Sequence, residues 1–133
     1  MLEAILLLEV IAILVIVISY SLKIVEDTAK KKRNYREHRF RAWLLFFLLT
    51  GVVASLETLI RFGLVEFFSP SPLYWTHLIS AMLFYITFVA KGLTASTGLQ
   101  KLHIALSKPL WFLWSMTGVT ALCIGLWNLL IQR

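Results

Sequence analysis

Hydrophobic residues fill four long stretches of the chain, and short polar segments separate them. The stretches cover residues 2–22, 42–65, 73–90 and 109–131. A helix needs about 20 mainly apolar residues to cross the hydrocarbon core of a bilayer. The pattern therefore predicts an all-α fold, an integral membrane four-helix bundle with up-down-up-down order, in a single transmembrane domain over residues 1–133.

Proline residues mark where the last two helices begin. Pro70 and Pro72 lie between the second and third stretches, and a helix cannot continue through them because each lacks a backbone donor. Pro109 lies at the start of the fourth stretch, in a first turn where the missing donor does no harm. The sequence thus predicts a break before the third helix and a start near Pro109 for the fourth.

Composition agrees with a membrane location. Of 133 residues, 59% are hydrophobic and only 15% are charged, which is not the balance of a typical soluble domain. The four stretches use most of the chain and leave no room for a separate soluble catalytic domain. We therefore expect a protein that is not an enzyme by itself.

The net charge of +6 is concentrated in two segments between helices. The predicted loop 23–41 is strongly basic, and Lys91, Lys101 and Lys108 lie between the third and fourth stretches. The positive-inside rule places both segments in the cytoplasm and both termini outside, in a multi-pass protein of the cell (cytoplasmic) membrane. The basic residues are expected to touch anionic lipid headgroups, and no nucleic-acid role is expected.

Aromatic residues are expected near the two membrane surfaces, where amphipathic rings prefer headgroup depth. The residues predicted at the inner surface are Trp43, Trp111 and Trp114, and those predicted at the outer surface are Tyr74, Trp75 and Trp127.

Polar residues within the spans carry most of the functional information, because such groups are costly in hydrocarbon. Counted from the outer surface, five of them form a predicted outer polar cluster: Glu9, Glu57, Arg61, His77 and Asn128. The first interpretation is a structural clamp, with Glu57 paired to Arg61 at i, i+4 and Glu9 paired to His77.

Two other interpretations of the cluster stay open. Glu9, Glu57 and His77 are ligand types that hold iron, zinc or copper, although no HxxxH, ExxH or CxxC spacing supports a metal site. Acidic and histidine side chains also carry protons across membranes. A proton path needs groups at every depth, and the inner half offers only Thr50, Ser115, Thr117 and Thr120.

Two further histidines lie where helices begin on the inner side. His38 precedes the second apolar stretch and His103 precedes the fourth. Two histidines from different helices of a bundle are what bis-imidazole haem ligation requires, so haem b is a candidate cofactor. The alternative is that both are interfacial residues without a ligand.

Several short motifs resemble those of a known family. They are Arg36-Glu37-His38-Arg39, the helix end Leu59-Ile60-Arg61, Tyr74-Trp75-Thr76-His77-Leu78-Ile79, Leu102-His103-Ile104-Ala105 and the run 111–119 that ends in Thr117-Gly118-Val119. Over residues 35–125 the chain resembles the family of small uncharacterised bacterial and archaeal multi-helix membrane proteins that includes a factor needed for aa3-type cytochrome oxidase activity.

The histidines carry most of this resemblance. His38, His77 and His103 match the family's histidine positions, whereas Arg61-Phe62 stands where a further histidine is expected near the end of the second helix. The histidines at helix entries and the Thr-Gly-Val motif are also similar to cytochrome b561-type bundles. These likenesses imply His38, His77 and His103 as candidate haem or metal ligands.

The expected function is that of a small accessory or assembly subunit of a membrane energy-converting complex of respiratory type. Its partners would be the lipid bilayer and other membrane subunits. The first alternative is a b-type haem electron carrier of the cytochrome b561 kind, and the second is a proton or small-solute conductor.

Overall fold

The structure, a computed structural model, describes residues 2–31, 34–62 and 72–131, except for the side chains of residues 56, 57 and 59–61. Within these ranges the chain is all-helical, as predicted. The helices are α1 (Leu2–Lys30), α2 (Tyr35–Arg61), α3 (Pro72–Ser96), α4 (Gln100–Ala105) and α5 (Ser107–Ile131).

Three helical segments have the length and apolar composition of membrane spans. They are α1, α3 and the segment Gln100–Ile131, which comprises α4 and α5. At 27 residues, α2 is also long enough to cross a bilayer. The apolar stretch of α2 runs into side chains outside the described part, so its prediction as a span stays a prediction.

The predicted basic loop 23–41 is wrong in its bounds, because most of it is helical. Helix α1 continues to Lys30, and α2 already begins at Tyr35. Two ion pairs at i, i+4 support the polar end of α1, Lys30 with Glu26 and Lys31 with Asp27. Hydropathy falls at Lys23. Helix α1 nevertheless continues beyond the apolar stretch, because charged residues in its last turns pair along the helix.

Side-chain caps and turn residues set the other helix ends. The Oδ1 atom of Asn34 accepts a hydrogen bond of 3.1 Å from the backbone N–H of Glu37, which caps α2. After α3, Gly98 has a positive φ of 76°, and the N–H of Leu99 bonds the carbonyl of Thr94 at 3.0 Å. This is a Schellman motif. Helix α3 therefore ends at Ser96, beyond the predicted residue 90.

Helices form two compact units, Met1–Ala12 with Pro70–Arg133, and Ile13–Ser69. In the first unit α3 packs against α5 around Phe84, Leu110 and Trp114. The start of α1 approaches α5 at Gly125, where an added Cβ would lie 3.0 Å from Cδ1 of Leu8. In the second unit the buried apolar residues are Ile18, Leu22, Leu45 and Leu49.

Candidate functional site

A group of hydrogen-bonded polar side chains lies between α3 and α5. The Nδ1 atom of His77 lies 3.1 Å from Oγ1 of Thr120 and 3.2 Å from the backbone oxygen of Thr117. One turn along, the Thr117 hydroxyl lies 3.2 Å from Oγ of Ser80. The Ser80 hydroxyl donates to the backbone oxygen of His77 at 2.9 Å. We call His77, Ser80, Thr117 and Thr120 the α3–α5 polar cluster.

The direction of these hydrogen bonds follows from their acceptors. The hydroxyl of Thr120 donates to the backbone oxygen of Met116 at 2.7 Å, so its oxygen can accept from His77. A backbone carbonyl can only accept. Nδ1 of His77 therefore donates, and a neutral His77 carries its proton on Nδ1.

The cluster satisfies its buried groups within the protein. Ser80, Thr117 and Thr120 are buried, and within the described ranges no buried side-chain nitrogen or oxygen lacks a hydrogen-bond partner. Hydroxyls that bond across two helices, and back to their own helix, hold the pair at one rotation and one register. The geometry is that of an interhelical polar clasp between α3 and α5.

The predicted pairing of Glu9 with His77 is wrong. Nδ1 of His77 bonds groups of Thr117 and Thr120, while Glu9 is exposed on α1. Asn128 is buried on α5, as expected of a polar residue facing the protein interior. The side chains of Glu57 and Arg61 lie outside the described residues, so their predicted ion pair stays a prediction.

His38 and His103 have the same kind of contact in different units. Nδ1 of His38 lies 2.7 Å from the backbone oxygen of Val25, and Nδ1 of His103 lies 2.8 Å from that of Lys91. Because the carbonyls accept, both Nδ1 atoms donate, which leaves Nε2 as the acceptor nitrogen of each neutral ring. The bond of His38 links the first turn of α2 to α1, and the bond of His103 links α4 to α3.

The hydrogen bonds of His38 and His103 match one requirement of a haem or metal ligand. A ligating histidine ordinarily donates its other ring N–H to a carbonyl or carboxylate, and both His38 and His103 do so. Each ring thus has one feature that is usual in a ligating histidine. In the described part of the chain, no group of three or more His, Cys, Asp or Glu side chains is placed to hold a metal ion.

Sequence reasoning missed the role of Ser80, and it considered Thr117 and Thr120 only as possible members of a proton path. A local signal was present, since His77 and Ser80 are spaced i, i+3 on one helix and Thr117 and Thr120 repeat that spacing on another. The depth count along the sequence put His77 in the outer half of the membrane and Thr120 in the inner half. The hydrogen bond between His77 and Thr120 places the two side chains at the same height along the helix pair.

Comparison with known proteins identifies no relative of this chain. No protein-family model matches the chain, and neither a curated protein nor a solved structure matches it.

Proposed function

We propose that this chain is a multi-pass protein of the cytoplasmic membrane that serves as a small accessory or assembly subunit of a larger membrane complex. In this proposal α2 is a fourth span, the order is up-down-up-down, both termini are outside and the basic segments are cytoplasmic. The protein is not an enzyme by itself. The respiratory type of the complex rests on the family resemblance of residues 35–125.

One observation carries the proposal: a carboxylate stands on an exposed apolar face of α1. Glu9 is exposed, and so are its neighbours Leu6, Val10 and Ile13. Glu9 lies seven residues, or about 10 Å, inside the helix start at Leu2. It forms no ion pair or hydrogen bond with a described residue. Carboxylates at membrane depth are costly unless they are paired, so a helix of another subunit that offers a donor would complete this face.

A face of α2 offers a second surface of the kind that packs against helices. Gly51, Ala54, Ser55 and Thr58 are all exposed, and a Cβ at Gly51 would meet nothing within 4 Å. Small residues let helix backbones approach closely in lipid. This face therefore supports an interaction with another membrane helix, in agreement with the role of a subunit.

The test is to replace Glu9 in the source cells and measure whether the tagged chain still migrates in a high-mass complex. We expect Glu9→Leu to release the tagged chain from its high-mass complex on native gels of mild-detergent extracts. Glu9→Gln, which can still hydrogen bond, should retain part of the complex. Glu3→Leu is the matched control, because Glu3 is exposed in the first turn of the same helix.

The respiratory assignment is tested separately. Deleting the gene should lower the a-type haem signal in reduced-minus-oxidised spectra of the membranes, and the wild-type chain should restore it. A Glu9→Leu chain that stays in the complex would overturn the role of Glu9 in holding it there, and a wild-type chain that runs outside any high-mass complex would overturn the subunit proposal. An unchanged haem signal in the deletion strain would overturn the respiratory assignment alone.

A b-type haem carrier is the second candidate, and the hydrogen bonds of His38 and His103 favour it. Both rings are oriented by Nδ1–H bonds to carbonyls, as ligating histidines usually are. Haem would supply one-electron transfer, and these residues would hold and orient it. The test is the reduced spectrum of the purified chain. A b-type spectrum that His38→Ala and His103→Ala each abolish would favour the carrier, and an iron-free protein would exclude it.

A further inference from the structure

One face of α2 carries arginines at its start and exposed aromatic rings below them. Arg36, Phe40, Trp43 and Phe47 recur at helical spacing, and Arg39 lies beside them. All are exposed, with Phe40 at 63%, Trp43 at 56% and Phe47 at 64%. A shallow groove of about 330 Å³ is lined by Tyr35, Arg36, Arg39, Phe40 and Trp43.

The two arginines of this groove differ from three other described cations nearby. Arg41 is paired with Glu37, its Nε atom lying 2.9 Å from the carboxylate, and Lys30 and Lys31 are paired with Glu26 and Asp27. Neither Arg36 nor Arg39 forms an ion pair with a described residue. Their guanidinium groups are therefore available to an outside anion, and the guanidinium fork matches phosphate oxygens in a bidentate way.

Further along α2 than the arginines, aromatic side chains form an aromatic wall. The ring of Trp43 lies 5.7 Å from that of Phe46 and 6.0 Å from that of Phe47, measured between centroids. From Arg39 to Phe47 the helix rises about 12 Å. That distance spans the depth from a headgroup phosphate to the upper part of the acyl chains. Tryptophan prefers the boundary between the headgroups and the acyl chains.

We propose that this face of α2 is a binding site for an anionic phospholipid. Arg36 and Arg39 hold the headgroup phosphate, and an acyl chain lies along Phe40, Trp43 and Phe47. A free phosphate would use only the arginines, and an acidic protein segment would leave the aromatic rings uncovered. A phospholipid matches both the charge and the apolar surface beneath it.

The experiment uses the full purified chain and native mass spectrometry of bound lipid. We expect phosphatidylglycerol to be retained more strongly than phosphatidylcholine of the same chain length. The double variant Arg36→Gln with Arg39→Gln should bind phosphatidylglycerol about fivefold more weakly for each arginine replaced, since one basic residue near an anionic surface contributes roughly that factor.

Matched variants separate a defined site from general attraction by positive charge. Lys30→Gln with Lys31→Gln removes two charges from the neighbouring helix end and should change binding less than twofold. Trp43→Ala should weaken phosphatidylglycerol binding while leaving the charge unchanged. Inorganic phosphate at millimolar concentration should not compete. Circular dichroism and size-exclusion elution establish that each variant is folded before its binding is compared.

Three results would overturn the site. One is equal loss of lipid in the arginine and lysine double variants, which would mean diffuse attraction. Another is retention of phosphatidylcholine as strong as that of phosphatidylglycerol in the parent chain. The third is displacement of the lipid by inorganic phosphate, which would leave the aromatic wall without a part in binding.

Discussion

Nδ1 of His77 lies 3.1 Å from Oγ1 of Thr120, across 43 residues of sequence, and this bond links α3 to α5. The same histidine nitrogen also lies 3.2 Å from the backbone oxygen of Thr117. Two acceptors for a single N–H hold the ring in one orientation between the helices. In lipid, where apolar surfaces gain little by leaving the solvent, such directional contacts and close packing decide how helices associate.

Replacing His77 should weaken the contact between α3 and α5. We expect His77→Ala to lower the free energy of unfolding by about 0.6 to 1.7 kcal/mol, from the average to the largest value found for interhelical polar contacts in membranes. Thermal unfolding in detergent measures the loss. Thr76→Ala is the control, since the Thr76 hydroxyl is exposed and, among the described residues, bonds only the carbonyl of Pro72 on its own helix. Equal stability of the two variants would contradict a clasp at His77.

Replacing Gly125 with a larger residue should push α1 away from α5. A Cβ there would lie 3.0 Å from Cδ1 of Leu8, 3.3 Å from Cδ1 of Ile11 and 3.7 Å from Cα of Leu8. Gly125→Ala meets flexible side-chain ends that can shift, but Gly125→Leu would also meet backbone. We therefore expect Gly125→Leu to lower the melting temperature more than Gly125→Ala does.

Gly92 provides the control for that series. An added Cβ at Gly92 meets nothing within 4 Å, so Gly92→Ala should be neutral or stabilising by up to about 1 kcal/mol through helix propensity. If Gly125→Leu were as stable as Gly92→Ala, the close approach of α1 to α5 would be contradicted.

The aromatic contact between α3 and α5 gives a third prediction. The rings of Phe84 and Trp114 are buried, with centroids 5.1 Å apart. Trp114→Ala should lower the free energy of unfolding by about 1 to 3 kcal/mol, less than in a soluble core because lipid solvates apolar groups in the unfolded reference. Trp127→Ala removes an exposed ring and should change stability little. Chemical or thermal unfolding in detergent compares the two.

The proposed orientation is tested by labelling single cysteines in a Cys123→Ser background. Thr76→Cys lies near the outer end of α3 and should react with a membrane-impermeant maleimide on intact cells. Ser96→Cys, at the other end of α3, should react only after the membrane is opened. Tags at both termini should be accessible from outside. The reverse labelling pattern would place the basic segments outside and overturn the positive-inside assignment.

Tryptophan positions show how far composition alone can predict a location. Trp114 was expected at the inner membrane surface by its place in the chain, but it is buried against Phe84. Trp43, also predicted there, is exposed on α2, as an interfacial ring would be. Both residues are tryptophans with the same predicted depth. They differ because Trp114 lies on the side of its helix that faces a neighbouring helix, whereas Trp43 lies on an exposed side.

The sequence by itself determined the all-helical class, the apolar stretches within α1, α3 and α5, and the helix start near Pro109. These properties depend on local composition and on backbone chemistry that a residue carries into any fold. Only the tertiary structure decided that His77 bonds Thr120 and not Glu9. A hydrogen bond across helices depends on the rotation and register of both, to within a few ångströms, and these are set by the packing of every residue along the pair.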